Sequence, residues 1–488
     1  MSVLALVLPL AAALLVVLAP ALRVQRALAL IGAVATFAVA LFLEGTLPIN
    51  LRWIPGLEVY FALSPEGASS VLVTVAALVT IPTVLYAGYA VPERTGRFLA
   101  LLLVMQAGLN GIFLARDLVL FYLFWEATLI PSLMMLGVWG LRERRQAALK
   151  YLMYALAGSF LMLVAILALR PLSGAASYRF EDLLAVTPML PFDTQLWLFV
   201  GLALGFAVKL PLWPLHNWLI DFHQENHPSG AADVAGTLYK VGGWGFIAWA
   251  LPLLPAAAEA ATPVLLAMAA FTALYAAVIA VSQPHLKRLL AYASLSHMGL
   301  VGVGVFAMHI AGASGAVYLL AAQMVSTGGM FLLSGMLYDR RRSFDLAAYG
   351  GLARSAPALA AMNLFVLFAF IGVPGLANFP GEFMSLLGAY QASPWLAFVA
   401  TCSVVAAGIY GVNLYQRLYQ GRELHGPVRE LRPLELVVLA PIVAGILWLG
   451  LAPAQPLERI ERHAERAVVG QLVHVPPGEL LARQGGGE

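Results

Sequence analysis

Residues 206–219 read FAVKLPLWPLHNWL: an apolar run carries Lys209 up to Pro211 and Pro214, which interrupt it. Proline inside a spanning helix removes a backbone donor, so the freed carbonyls must find partners in protein or water. A lysine buried beside such a break is costly unless it pairs or sheds its proton. The stretch predicts a broken helix in a helical membrane protein, with an ionisable amine at the break. Residues 372–383, GVPGLANFPGEF, repeat the device with the opposite charge, because Pro374 and Pro380 interrupt the run and Glu382 follows. Half-helix ends opened in this way can hold water or protons inside the protein.

The surrounding composition agrees. Of 488 residues, 61% are apolar and 11% charged, whereas soluble domains carry roughly 25% charged residues. That excludes an ordinary soluble enzyme, and a formal charge of +3 gives no reason to invoke nucleic acid. Cys402 is the only cysteine, too few for an iron–sulfur cluster, a structural zinc site or a disulfide framework. No Gly-rich dinucleotide turn, phosphate loop or G-x-S-x-G elbow is present. GVGV at residues 302–305 lies in apolar helical sequence, where small residues permit close packing. The 28 basic residues include only four lysines, Lys150, Lys209, Lys240 and Lys287. A chain this depleted in lysine keeps it where an amine is needed and a guanidinium will not serve.

A hydrocarbon core asks for about 20 apolar residues per helix. Such runs fall at 2–20, 26–44, 68–90, 97–115, 117–139, 147–169, 195–216, 229–254, 262–281, 288–308, 313–338, 357–388, 394–416 and 433–452, which are numbered here as segments 1 to 14. Segment 1 lacks a basic n-region and runs into a second apolar run, as a retained helix does. Odd-numbered connections collect eighteen of the basic residues, and the even-numbered ones only Arg52, Arg116, Arg170 and Arg179 before the tail. The positive-inside rule then sets both termini on the outer face. The tail from Gln455, with Glu458, Arg459, Glu461, Arg462, Glu465 and Arg466, reads as an amphipathic surface helix followed by a frayed end.

The expected fold is an all-α polytopic membrane protein of about fourteen helices with two inverted five-helix repeats, each containing a broken helix. Segment 5 reads ARDLVLFYLFWE, with Arg116 ten residues before Glu126; segment 10 reads LKRLLAYASLSH, with Lys287 ten residues before His297. The same alignment pairs broken segments 7 and 12, and repeated units of odd helix number are inverted. The divisions are 1–95 for three N-terminal helices, 96–254 and 260–418 for the repeats, and 430–488 for the last helix and tail.

Glu126, Lys209, Lys240 and Glu382 are the candidate site residues at membrane depth, with Asp233 and His297 beside them. Two lysines and two glutamates are more than static helix locking calls for. Lys150 and Lys287 stand at inner helix starts, where snorkelling or topology-setting charge competes with function. The connection HNWLIDFHQENHP, residues 216–228, holds His216, His223 and His227 near Asp221 and Glu225, in a spacing that matches no standard metal site and suits proton uptake or loop solvation better. Trp213 and Trp218 read as interfacial anchors.

Four stretches in order, FAVKLPLWPLHNWL, AGTLYK at 235–240, KRLLAYASLSHMG at 287–299 and GVPGLANFPGEF, resemble the proton-conducting antiporter-like subunits of respiratory complex I. Similar subunits occur in multisubunit Na+/H+ antiporters and membrane-bound hydrogenases. The match spans segments 4 to 13. Glu382 on broken segment 12, where relatives more often have Lys, and the lack of a long lateral helix after segment 14 are most similar to the M-type branch of the bacterial NADH-quinone oxidoreductase. By this resemblance Glu126 is the essential carboxylate of segment 5, Lys209 its partner, Lys240 the central lysine and Glu382 the end of the path. Lys150, His297 and His223 are secondary. Two departures stand out: Gln323 in QMVSTGGMF occupies a place usually held by His, and Ile220 replaces a proline after the first break.

The resemblance implies a proton-translocating subunit in a bacterial inner membrane, packed against neighbouring antiporter-like subunits and lipid. It has no cofactor of its own; flavin, iron–sulfur clusters and quinone belong to partner subunits. Protons would hop from Lys209, switched by Glu126, to Lys240, Glu382 and the outer face. Two other readings stay open. A Na+/H+ exchanger would want oxygen-rich ligands at the breaks, where only Asn378 and Glu382 offer them, and a structural scaffold would tolerate loss of Glu126.

Overall fold

The computed structural model describes residues 1–235, 240–423 and 426–472. Within them eleven helices are long and apolar enough to cross a membrane, among them Ala68–Ala90, Thr95–Leu114, Arg144–Ser173, Phe192–Lys209, Leu286–Phe306 and Ile310–Arg341. The other expected crossings are shorter or divided. Segment 1 is Ser2–Leu18; segment 12 is Pro357–Phe370 and then Asn378–Ala392. Segment 8 comprises Ala231–Ala235, Lys240–Gly245, a π-helical turn Phe246–Ala250 and Leu251–Leu253, with the GTLY of its motif outside the described residues. One two-stranded hairpin, Ile49–Ile54 with Val59–Leu63, lies between segments 2 and 3 and departs from the all-helical expectation.

Hydrogen bonds between connections sort into two sets. The hairpin connection bonds to the one after segment 4 through Arg116 N–H to Ala62 O (2.9 Å) and to the one after segment 6 through Tyr178 N–H to Glu58 O (3.4 Å). The odd-numbered connections bond to one another, as in Leu141 N–H to Glu225 O (2.7 Å), Leu286 N–H to Phe344 O (2.8 Å) and Gly351 N–H to Gln420 O (2.8 Å). Each set holds connections of one parity, as alternating crossings require.

Packing separates a core from a rim. Segments 10 and 11 are buried along their apolar lengths, whereas segments 1, 2 and 6 expose Leu14, Ile31, Phe160 and Val164. In the GVGV stretch, a Cβ on Gly302 would press on Ala269 Cβ at 2.9 Å, so the small residue allows segments 9 and 10 to close. The tail helix Ala454–Leu472 buries Ile460 and Ala464; the end beyond it lies outside the described residues.

Segment 5 is divided as well. Leu118–Ala127 and Leu129–Trp139 meet at Thr128, whose hydroxyl donates to Trp125 O at 2.7 Å. Ser132 likewise bonds back to Leu129 O at 2.8 Å. Back-bonding hydroxyls of this kind compete with the helical ladder and bend helices. Pro131, one turn beyond Ala127, adds to the effect because it has no N–H to give the Ala127 carbonyl.

Candidate functional site: buried ionisable groups at two helix breaks

The first break ends the helix Phe192–Lys209 at the lysine itself. Trp218 is buried and donates its indole N–H to Val208 O at 3.0 Å, sealing a carbonyl that the break would orphan. It is therefore an internal cap and not the interfacial anchor its position suggested, whereas Trp213 is 41% exposed, as an anchor should be. Gly242 of segment 8 packs on the same spot: a Cβ there would stand 2.4 Å from Leu210 N and 2.6 Å from Phe206 O.

Lys209 is buried and makes no ion pair with Glu126. Its ammonium donates to Thr128 Oγ1 at 3.3 Å and Trp125 O at 3.4 Å, and stands 4.3 Å from the centre of the Trp125 ring. It thus rests on the carbonyl of the residue just before Glu126. The carboxylate, only half-buried, is a neighbour that acts through space. Thr128, the residue at which segment 5 divides, supplies one of these acceptors, so the irregularity of that helix shapes the amine's surroundings.

At the second break Asn378 seals the helix end, donating from Nδ2 to Phe370 O at 2.8 Å while Oδ1 accepts from Ser326 at 2.9 Å. Glu382, in the second turn of Asn378–Ala392, reaches back toward Gly372, whose φ of +77° is of the kind glycine adopts freely. A Cβ on Gly372 would lie 2.1 Å from Glu382 Oε2. On its other side Glu382 Oε1 is 3.1 Å from His297 Nδ1, at ion-pair distance but off the line of a hydrogen bond. His297 Nε2 lies 3.3 Å from the buried Tyr410 hydroxyl of segment 13. Glu382 and His297 are thus brought together, and Tyr410 joins them unannounced by any local pattern.

Between the breaks lies a third cluster. Asp233 Oδ1 is 2.9 Å from His223 Nδ1 and Oδ2 is 2.8 Å from Lys287 Nζ, and all three side chains are fully buried. Lys287 also donates to Asn226 O (3.0 Å) and His227 O (3.2 Å). The snorkelling reading of Lys287 is therefore corrected: it is a core cation at the start of Leu286–Phe306, held by a carboxylate and two carbonyls from the connection after segment 7. Lys150 behaves otherwise, pairing with Asp221 at 2.7 Å with both about one-third exposed. Lys240 is fully buried at the start of Lys240–Gly245. The histidines of 216–227 go separate ways: His223 meets Asp233, His227 Nδ1 lies 2.9 Å from Ser229 Oγ, and His216 packs on the Tyr275 ring; no group of three or more His, Cys, Asp or Glu that could hold a metal occurs among the described residues. Arg340, a loop charge by its place in the sequence, is in fact buried in a two-pronged pair with Glu435, at 2.9 and 2.7 Å.

Residues 115–409 match the family described as NADH:quinone oxidoreductase/Mrp antiporter, transmembrane. The chain belongs to this family. Among members, NADH-quinone oxidoreductase subunit 13 of Thermus thermophilus is 44% identical over 438 residues, covering 88% of this chain and 92% of that one. Subunit M of Rhodobacter capsulatus is 36% identical, covering 88% of each. A chain in the structure of respiratory complex I from Thermus thermophilus with bound NADH superimposes with a TM-score of 0.91 at 42% identity, over 96% of this chain and all of that one.

Proposed function

We propose that this chain is a proton-translocating membrane subunit of an NADH-quinone oxidoreductase, moving protons along buried Glu and Lys side chains and driven by redox chemistry in partner subunits. The observation that carries the proposal is the placement of Lys209, an amine at a helix break, beside Glu126 but bonded to Thr128 and Trp125. It is within reach of a counter-charge without being locked to it. A buried ammonium without its counter-ion releases a proton more readily. Closing the pair loads the amine, and opening it sends the proton toward Lys240, then the Glu382–His297 pair and the outer face. Lys150 and His223 serve proton uptake at the opposite side. The parity of the bonded connections supports fourteen alternating crossings with both termini on one face, which the basic bias of the odd-numbered connections makes the outer one, and the divisions 1–95, 96–254, 260–418 and 430–488 set one break in each repeat. Flavin, iron–sulfur clusters and quinone are assigned to the partners.

The energy scale is adequate. A proton crossing roughly 200 mV needs about 4.6 kcal/mol, and disrupting a buried ion pair perturbs a site by about 3 to 5 kcal/mol. Sodium exchange has less to work with: both ends of the Asn378 amide already hold Phe370 O and Ser326, leaving a single lone pair on that amide oxygen at the break. Lys209→Arg keeps the charge but cannot release a proton near neutral pH. In proteoliposomes the assembled complex with this substitution is expected to lose nearly all NADH-driven acidification; wild-type pumping would sink the proposal.

A further inference from the structure

Segment 4 carries a polar side chain that none of these clusters uses. Gln106 is 1% exposed, and neither its Oε1 nor its Nε2 has a partner among the described residues. It lines a cavity of about 20 Å³ with Thr80 and Thr83 of segment 3, Val234 and Ala235 of segment 8, and Met324 of segment 11. The threonine hydroxyls donate to their own helix, at Ala76 O (2.8 Å) and Val79 O (2.7 Å), which leaves their lone pairs as acceptors. The walls therefore present the amide's two N–H donors, its carbonyl and two hydroxyl acceptors. A space above about 10 to 15 Å³ with two to four polar partners is enough for a water molecule.

We propose that this cavity is a water site anchored by Gln106, and that its water hydrates the proton passage between the Asp233 cluster of segment 8 and the level of Gln323 on segment 11. Val234 and Ala235 directly follow Asp233, and Met324 directly follows Gln323. Gln323 is buried, accepts from Thr327 at Oε1, and has no partner for Nε2 among the described residues. An amide does not titrate, so a proton passing this level travels on water. Gln106 and the segment 3 hydroxyls lie where that water can be stored, which gives the N-terminal helices a part in the passage. The transport half of this inference rests on the proposed function.

The test is a high-resolution cryo-EM map of the intact oxidoreductase carrying this chain, combined with NADH-driven proton uptake in liposomes. Wild type should show a water density bonded to Gln106. Gln106→Met should lose it and lower proton uptake at least fivefold in fully assembled complex, whereas Gln106→Glu, which keeps a polar group of the same length, should keep the density and most of the rate. Absence of water in the wild-type map overturns the site. Water present with an unchanged rate in Gln106→Met overturns its place on the passage, and parallel loss of pumping in Lys209→Arg shows that the proposed function survives. If Gln106→Met does not assemble, Thr83→Val removes one rim acceptor and carries the same rate test.

Discussion

The two broken helices hold opposite charges in different ways. The first places Lys209 on the last residue of its leading half, where the negative end of the helix dipole favours a cation. There the ammonium is bonded to neutral oxygens and to an aromatic face, with its counter-ion nearby but separate. The second places Glu382 in the second turn of its trailing half, where the dipole has largely faded, and gives it His297 at 3.1 Å instead. One break therefore surrounds its charge with fixed dipoles, and the other sets it beside an imidazole. Dipoles hold a charge without following it, whereas a titratable partner exchanges protons with the group it holds. The first site suits a gate that is either paired or open, and the second suits a relay.

The largest expected difference concerns the glycines that seal each break. In Gly242→Ala the new methyl group meets backbone, Leu210 N at 2.4 Å, which cannot swing aside. Segment 8 should then fail to seat on the end of segment 7, and the complex should be lost from membranes by native gel. In Gly372→Ala the obstacle is the end of a side chain, Glu382 Oε2. Assembly should survive while pumping falls more than tenfold as the carboxylate is pushed off His297. Combining Gly372→Ala with the shorter Glu382→Asp should recover part of the rate, and no recovery would show that backbone strain at φ +77° is the whole effect.

A smaller contrast lies in the hydroxyls. Thr128→Val removes one contact of Lys209, worth about 1 kcal/mol, or roughly fivefold in rate. Tyr410→Phe removes the hydroxyl 3.3 Å from His297 and should slow transfer by a similar factor, with a larger solvent deuterium effect if the hydroxyl passes a proton. Equal isotope effects in both variants would erase the gate-and-relay distinction.

Much of this architecture is legible in the sequence. Pro211, Pro214 and Pro374 mark the breaks because backbone chemistry is local, although Pro380 falls in the first turn of Asn378–Ala392, and Lys209, Glu126 and Glu382 announce themselves as charges in apolar runs. What stays hidden depends on partners far away in the chain. Lys287 reads as a helix-start charge until Asp233, 54 residues earlier, and the carbonyls of Asn226 and His227 are brought against it. Arg340 reads as a loop charge until Glu435 is placed beside it. Tyr410 is one apolar-face aromatic among many until His297 meets it. Pro131 and Pro252 lie just beyond the division at Thr128 and the π-turn at Phe246–Ala250, yet a proline in an apolar run is compatible with a kink, a bulge or a full break. Which one forms depends on neighbouring groups, and a threonine bends its helix only when its hydroxyl turns back on the backbone, as that of Thr128 does.

The smallest effect separates the starts of the two broken helices. Segment 7 begins beside Gln195, whose Nε2 donates to Pro188 O and Leu190 O at 3.0 Å each, a neutral arrangement indifferent to pH. Segment 12 begins on a carboxylate: Glu430 accepts from Ala358 N (2.8 Å), Leu359 N (2.9 Å) and Leu431 N (2.8 Å). Partial burial works to raise its pKa, but these backbone bonds outweigh it and hold the carboxyl below its usual range. Because the folded value is the lower one, this cap stabilises the protein fully above the unfolded glutamate's pKa, and its contribution is lost as pH falls through the folded value. A charge at a helix N-terminus is worth about 0.3 to 1 kcal/mol, and the lower part of that range applies at this largely solvated site. In thermal unfolding of the detergent-solubilised complex, Glu430→Gln should lower stability slightly at neutral pH and lose that difference in acid. Gln195→Glu should bring acid dependence of the opposite sense to segment 7, because a carboxylate facing two carbonyls destabilises at neutral pH and is relieved on protonation. A pH-independent effect of Glu430→Gln would mean that the amide caps the helix as well as the carboxylate does, and that the two helix starts differ only in shape.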